Sequence, residues 1–361
     1  MPRIRRPRLR APAPTGRLSM LATRRGLMLG TAGTLLAMPH LARGQAALTP
    51  VKFCLDWAFQ GPQAPFLLAA ERGFFREEGI AITIDRGFGS GDTPVKVSTG
   101  AYEFGIADLS PAIRLRLTTQ GSDIIAPMVI QQGSPLAVMT LKKSGITTLK
   151  QLEGRKVAAP ETDSARQLFP ALAKAAGIDS SKINWLTVTP QLREPMLVRG
   201  ETDAITGFEV SGVFSLRSLR VPEGDIVSLR YSDAGVALLS TALLVKRPYA
   251  EANPKLVTGM IRAIARGHAA AWKDPDAAIA TLAQRDPTAP KELEKARMMA
   301  NFGFIRTPEV LSGGFGNLTE ARVQAAIETI RSAFGIDAPL KAGEIYTPAY
   351  LPPASDLTLP A

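Results

Sequence analysis

At 361 residues the chain exceeds one typical domain, and with 45% hydrophobic residues it has enough apolar material for substantial cores, which excludes wholesale disorder. Its formal charge of +11 is unevenly placed: residues 1–46 carry nine arginines and no acid or lysine, leaving 34 basic against 32 acidic side chains, a net of +2, over residues 47–361. A body so close to neutral gives no reason to expect nucleic-acid binding.

The first 46 residues read as an export signal. Arg24-Arg25 stands just before an apolar run, Leu27 to Met38, rich in Leu, Gly and Ala. That run is too short to span a hydrocarbon core of ~30 Å but suits a signal peptide, and the paired arginine is similar to a twin-arginine signal. Gly44-Gln45-Ala46 supplies small residues for cleavage near Ala46. A basic anchor helix that stays attached is the alternative, and Met20 is an alternative first residue. Cys54 is the only cysteine, so no internal disulfide can form, and its setting after Val-Lys-Phe suits a buried strand residue. No segment beyond the signal reaches 18 consecutive apolar residues.

From there short apolar strands alternate with helices, the pattern of an α/β fold. Strands are predicted over 51–55, 80–85 and 104–107, with helices over 65–72 and 94–99 between them, closed by Gly73 and Gly100. Ser110-Pro111 reads as an N-cap followed by proline in the first turn of a helix through Thr118. Strands follow over 124–130 and 137–141. The pattern then restarts: a short helix ending at Gly154, a strand over 156–159, and a helix near 165–176 that Pro170 either kinks or begins. Further strands are predicted over 183–188, 204–208, 226–230 and 237–245. The remainder is mainly helical. In the segment 254–272, Val257, Met260, Ile261, Ile264, His268 and Ala271 share one face, and a second helix runs over 318–334 with Thr319 as candidate cap. The Pro-rich tail from Tyr346 is expected to lie over the surface.

Several stretches in order are more specific than this alternation. Leu55-Asp56-Trp57 is followed by Ala70-Glu71-Arg72-Gly73-Phe74-Phe75 with Gly79-Ile80, then Gly87-Phe88-Gly89-Ser90-Gly91, then Gly100 with Phe104-Gly105-Ile106-Ala107-Asp108. Thr147-Thr148-Leu149-Lys150-Gln151-Leu152-Glu153-Gly154 comes later. This order resembles the periplasmic solute-binding proteins of the thiamine-pyrimidine-precursor-like group, related to the sulfonate, taurine and nitrate binders. The resemblance covers about residues 50–250 and is stronger for fold than for ligand. It implies a two-lobed periplasmic-binding-protein (type II) fold with a central ligand cleft and two interlobe crossings. One lobe would hold 47–138 and the returning segment 239–361, and the other 139–238.

Ligands of open α/β sheets bind beyond the carboxyl ends of the strands. Asp56-Trp57, Gly89-Ser90-Gly91 and Asp108 each follow a predicted strand, so all should meet at one edge, with Gln60 nearby. Trp57 offers a flat apolar face, or else a core indole. The glycine loop leads into Thr93-Pro94, read as a helix start whose N–H groups can face a ligand oxygen, or is a tight turn. Asp108 either accepts ligand N–H and O–H groups or caps the next helix. From the second lobe come Thr162, Asp163 and Ser164, the last with Gln167 as a candidate capping box, and Glu209, either a partner for an amine or a hinge-side ion pair. Tyr231 and Gln131-Gln132 lie near the expected crossings, and Arg166 and Arg193 are the cations available for a sulfonate.

Some relatives in this group are pyrimidine synthases with a cysteine-rich iron-binding stretch. This chain has one cysteine, and its two histidines, His40 and His268, leave little material for a triad or metal site. The expectation is therefore a non-enzymatic binder with no cofactor and no metal. It would be monomeric and would close on a small organic ligand, pyrimidine-like on the strength of Trp57 and the carboxylates. Its partners would be an ABC permease and its ATPase, with the membrane met only through the permease. Sulfonate, nitrate or aromatic acid ligands, and a sensor role at a membrane receptor, are the alternatives.

Overall fold

The computed structural model describes residues 47–360, so the export signal proposed for 1–46, with its cleavage near Ala46, lies outside the described residues. Ten strands form two five-stranded sheets. They are β1 (Thr49–Cys54), β2 (Ile80–Asp85), β3 (Phe104–Asp108), β4 (Ile124–Val129), β5 (Leu136–Leu141), β6 (Lys156–Ala159), β7 (Asn184–Thr187), β8 (Ala204–Phe208), β9 (Ile226–Arg230) and β10 (Thr241–Lys246).

The first sheet has the order β2-β1-β3-β10-β4 and the second β7-β6-β8-β5-β9. The second repeats the first. In each, three parallel strands are followed by an antiparallel strand that enters from the other sheet: β10 pairs with β3 and β4, and β5 with β8 and β9. The chain passes between the sheets after β4 and again before β10. This is the α/β periplasmic-binding-protein fold that the sequence implies.

Strand limits agree closely with the apolar runs, because β3, β4, β5 and most of β10 are buried on both faces and read as continuous hydrophobic stretches. The segment 237–240 departs from its predicted strand. Leu238 and Leu239 are buried in a cluster that joins the two sheets, while Ser240 gives its carbonyl to the Leu109 amide, so burial there is met without strand pairing.

Three helix starts differ from expectation. Asp108, not Ser110, caps the helix Leu109–Thr118, accepting the Ser110 amide at 2.9 Å. Asp163, not Ser164, caps Ser164–Gln167, accepting the Arg166 amide at 2.9 Å, because Ser164 is already the first residue of the helix. Thr93 is already inside its helix, Thr93–Ser98, and gives its hydroxyl to the Leu55 carbonyl at 3.0 Å. Pro170 falls in the first turn of a separate helix, Phe169–Ala176. Two helices carry no clear sequence signal: Arg193–Arg199, with a proline inside it, and Glu209–Ser218, rich in serine, glycine and β-branched residues.

The helix Pro254–Lys273 packs on Ala64–Glu71 through Gly267, where a Cβ would meet the Pro65 carbonyl oxygen and the Ala69 methyl. That close approach sets the adjacent His268 ring 5.0 Å from Phe66, edge to face. The tail lies over the surface as expected, anchored at a few buried side chains. Tyr346, Leu357 and Leu359 are buried, and Leu357 accepts the Phe315 amide.

Candidate functional site

A cavity of about 50 Å³, widening to about 700 Å³ when the open solvent at its mouth is counted, lies between the two sheets. Its first wall begins at the carboxyl end of β1. The Gly87 and Gly89 amides donate to the carbonyls of Trp57 and Asp56 at 2.8 and 2.9 Å, which fastens the loop after β2 to the loop after β1. Asp56, Trp57, Gly89 and Ser90 thereby come to one edge. Gln60, Gln63 and Phe66 extend the wall, and Gln131, Thr241, His268, Asn301 and Ile305 complete it. The second sheet supplies Asp163, Ser164, Arg193, Phe208, Val210 and Ser211.

The two walls touch. The Gly91 amide donates to the Thr162 carbonyl at 2.9 Å, the Thr162 hydroxyl to the Phe88 carbonyl at 2.6 Å, and the Ser211 hydroxyl to Gln60 Oε1 at 2.8 Å. Gly89 has φ +136°, a region open to glycine, and a Cβ there would collide with the Thr162 carbonyl oxygen. The conformation is therefore a closed one.

Arg193 is the cation on the wall. Its guanidinium lies 5.1 Å from the Trp57 ring centroid and is fully buried. Nη2 donates to Glu194 Oε1 at 2.6 Å, and Nη1 to the Thr206 carbonyl at 2.9 Å and Asp163 Oδ2 at 3.3 Å. Burial works against its charge, but Glu194 and Asp163 outweigh burial and hold its pKa above the ordinary value.

Asp56 differs. Its Oδ1 accepts Gln63 Nε2 at 2.9 Å, and among the described residues no cation pairs with it. Burial pushes its pKa up to about 6, against the pull of Gln63 and of the Asp56 and Trp57 amides. Gln63 Oε1 is buried without a partner.

At the far end Gln131 bridges Asn301 Oδ1 at 2.6 Å and the Thr241 hydroxyl at 2.8 Å. His268 Nδ1 faces the Ile264 carbonyl at 2.9 Å, so it carries the hydrogen and leaves Nε2 as an acceptor. Burial lowers this imidazole to about 4 and keeps it neutral near pH 7.

Of the residues named from sequence, Asp56, Trp57, Gln60, Gly89, Ser90, Gln131, Asp163, Ser164 and Arg193 line the cavity. Gly91 and Thr162 instead join the walls. Asp108 is a fully buried helix cap; Oδ2 makes no hydrogen bond of good geometry, and burial raises the group to about 7, against the Ser110 amide and the Ser110 and Ser164 hydroxyls. Glu209 is an ion pair with Arg230 at 2.7 Å, and Tyr231 is a core residue whose hydroxyl donates to the Ala165 carbonyl at 2.6 Å. Both lie off the cavity wall. Gln63, Phe208, Ser211, Thr241, Asn301 and Ile305 carried no sequence signal. His268 stood out only as part of an apolar face, and Arg193 only as a spare cation.

The family model described as NMT1/THI5 like matches residues 61–278. The 4-amino-5-hydroxymethyl-2-methylpyrimidine phosphate synthase of Legionella pneumophila is 24% identical over 240 residues, covering 66% of this chain and 74% of that protein. The formylaminopyrimidine-binding protein of Halalkalibacterium halodurans is 24% identical over 245 residues, covering 67% and 72%. Among solved structures, the alkanesulfonate-binding protein SsuA of Xanthomonas axonopodis pv. citri, bound to MOPS, superposes with a TM-score of 0.64 at 19% identity, over 84% of this chain and 100% of that one.

Proposed function

The chain belongs to the NMT1/THI5-like family, and on that premise we propose that it is the exported solute-binding component of an ABC importer, taking a small pyrimidine-like heterocycle by hinge closure. The observation that carries this reading is the cavity itself: a pocket between the two sheets whose walls are joined by hydrogen bonds between two loops from different sheets. A ligand rests first on Trp57 and Phe66, and the second sheet then rotates over it, adding Phe208, Val210 and Ser211. Contacts made only in the closed state exclude water and present a surface for the permease to read.

The ligand class follows from the wall. Trp57, Phe66, Phe208 and the neutral His268 ring suit a flat aromatic body, while Gln63, Gln131, Thr241 and Asn301 offer hydrogen-bonding edges. A sulfonate needs a cation free to meet it, and Arg193 is already engaged by Asp163 and Glu194. Binding without catalysis is the reading for this chain although relatives carry a synthase name: Cys54, its one cysteine, is buried in β1 beside Thr93. Export places the protein in the periplasm in this proposal.

Mass spectrometry of the ligand carried through native purification, followed by thermal-shift screening of heterocycles, sulfonates and nitrate, tests the reading. A bound heterocycle that raises the melting temperature and is recovered unchanged is expected. A ligand chemically converted by the protein, or stabilisation by sulfonates alone, sinks it.

A further inference from the structure

We infer that Asp56 and Gln63 together recognise an amidine-type edge, a ring nitrogen carrying a proton beside an exocyclic amino group, so that the ligand is taken up together with a proton. This deepens the proposed function and rests on it. Gln63 spends its amide donor on Asp56 Oδ1 at 2.9 Å, which turns Gln63 Oε1 into an acceptor with no partner. Both residues line the cavity and both are only 5% exposed. Gln63 Oε1 lacks a donor and the Asp56 carboxylate beside it lacks a cation, and an N–C–N edge with hydrogens on both nitrogens and a positive charge suits both. A lactam edge places a carbonyl oxygen against one acceptor and leaves a mismatch.

The charges around the pair point the same way. Arg193, across the cavity, is held by Asp163 and Glu194; Arg297 is held by Glu294, which also accepts the Gly61 amide at 2.7 Å. Cys54 and Asp108 interact with Asp56 electrostatically, and neither brings positive charge. A protonated base therefore meets an uncompensated carboxylate, whereas an anion meets an acidic wall. The proton balance is one taken from solvent per ligand bound at pH 7, whether it rests on the ring nitrogen or on the carboxylate. Affinity accordingly falls as pH rises above about 7, where both groups have lost that proton.

Calorimetry on the full folded protein with 4-amino-2-methylpyrimidine, benzamidine, pyrimidin-4-one and taurine, in buffers of different ionisation enthalpy, tests this. The aminopyrimidine is expected to bind with uptake of about one proton and to exceed pyrimidin-4-one by roughly tenfold or more. Asp56→Asn should lose that preference and the proton uptake while keeping its melting temperature, and Gln63→Leu should lose the preference alone. Equal binding of the aminopyrimidine and pyrimidin-4-one, unchanged by Asp56→Asn, overturns the edge recognition and leaves the solute-binding role standing. Tight binding of taurine, with no heat from any heterocycle, overturns both.

Discussion

Gly91 and Thr162 join the two walls of the cavity: the Gly91 amide, in the loop after β2, donates to the Thr162 carbonyl, in the loop after β6, at 2.9 Å. Two positions earlier Gly89 stands so close to the same carbonyl that no Cβ fits between them. Closure thus depends on backbone meeting backbone at a point where side chains are excluded.

Gly89→Ala should therefore hold the walls apart. The added methyl meets the Thr162 carbonyl, and its φ of +136° is strained for any L side chain, at a cost of about 1–3 kcal/mol. Ligand affinity is expected to drop about tenfold or more with little change in the isolated sheets. Small-angle scattering should show a larger radius of gyration with ligand present, and a radius equal to the wild type rules out the wedge.

Trp57→Ala should weaken binding by more than about tenfold without unfolding the protein. The indole is half-buried at the cavity wall, with the Arg193 guanidinium 5.1 Å from its centroid, so its loss removes both a ligand surface and a face of the closed state. Calorimetry beside circular dichroism separates affinity from folding; unchanged affinity ends the stacking role.

Arg193→Met should cost about 3–5 kcal/mol of stability, because Asp163 and Glu194 are then buried without their cation. The loss is measured by urea denaturation of the unliganded protein. Restoring stability with the further change Glu194→Gln is expected if charge, rather than packing, is the cause.

Asp108→Asn should stabilise the protein at high pH and leave it nearly unchanged at low pH. In the fold, burial raises this carboxyl from 3.8 to about 7, so the native state holds its proton more tightly than the unfolded chain does. The stability this confers is complete below about pH 4 and is lost as pH rises through about 7. Asparagine can still cap the helix at Ser110 and carries no charge to bury. Denaturation at pH 5 and pH 8.5 reads the difference between variant and wild type, and a gap that does not widen with pH contradicts the assignment.

The strand alternation, the strands β2, β6, β8 and β9 to the residue, and the meeting of Asp56, Trp57 and Gly89 at one sheet edge were legible in the sequence, because each depends on local periodicity or on a loop directly after a strand. What tertiary structure alone decided is the rest of the wall. Gln63, His268 and Asn301 come from helices far apart in the chain and meet on the first wall, with Arg193 facing them from the second and Gly267 permitting the helix contact that carries His268 to Phe66. Tertiary packing also assigned the carboxylates: Asp108 to a helix cap, Glu209 to Arg230, and Asp56 to the cavity wall beside Gln63 rather than a cation. Charge pairing and burial are properties of neighbours in space. Exported solute binding could therefore be proposed from sequence order, whereas the edge that selects the ligand rests on the contact between Asp56 and Gln63.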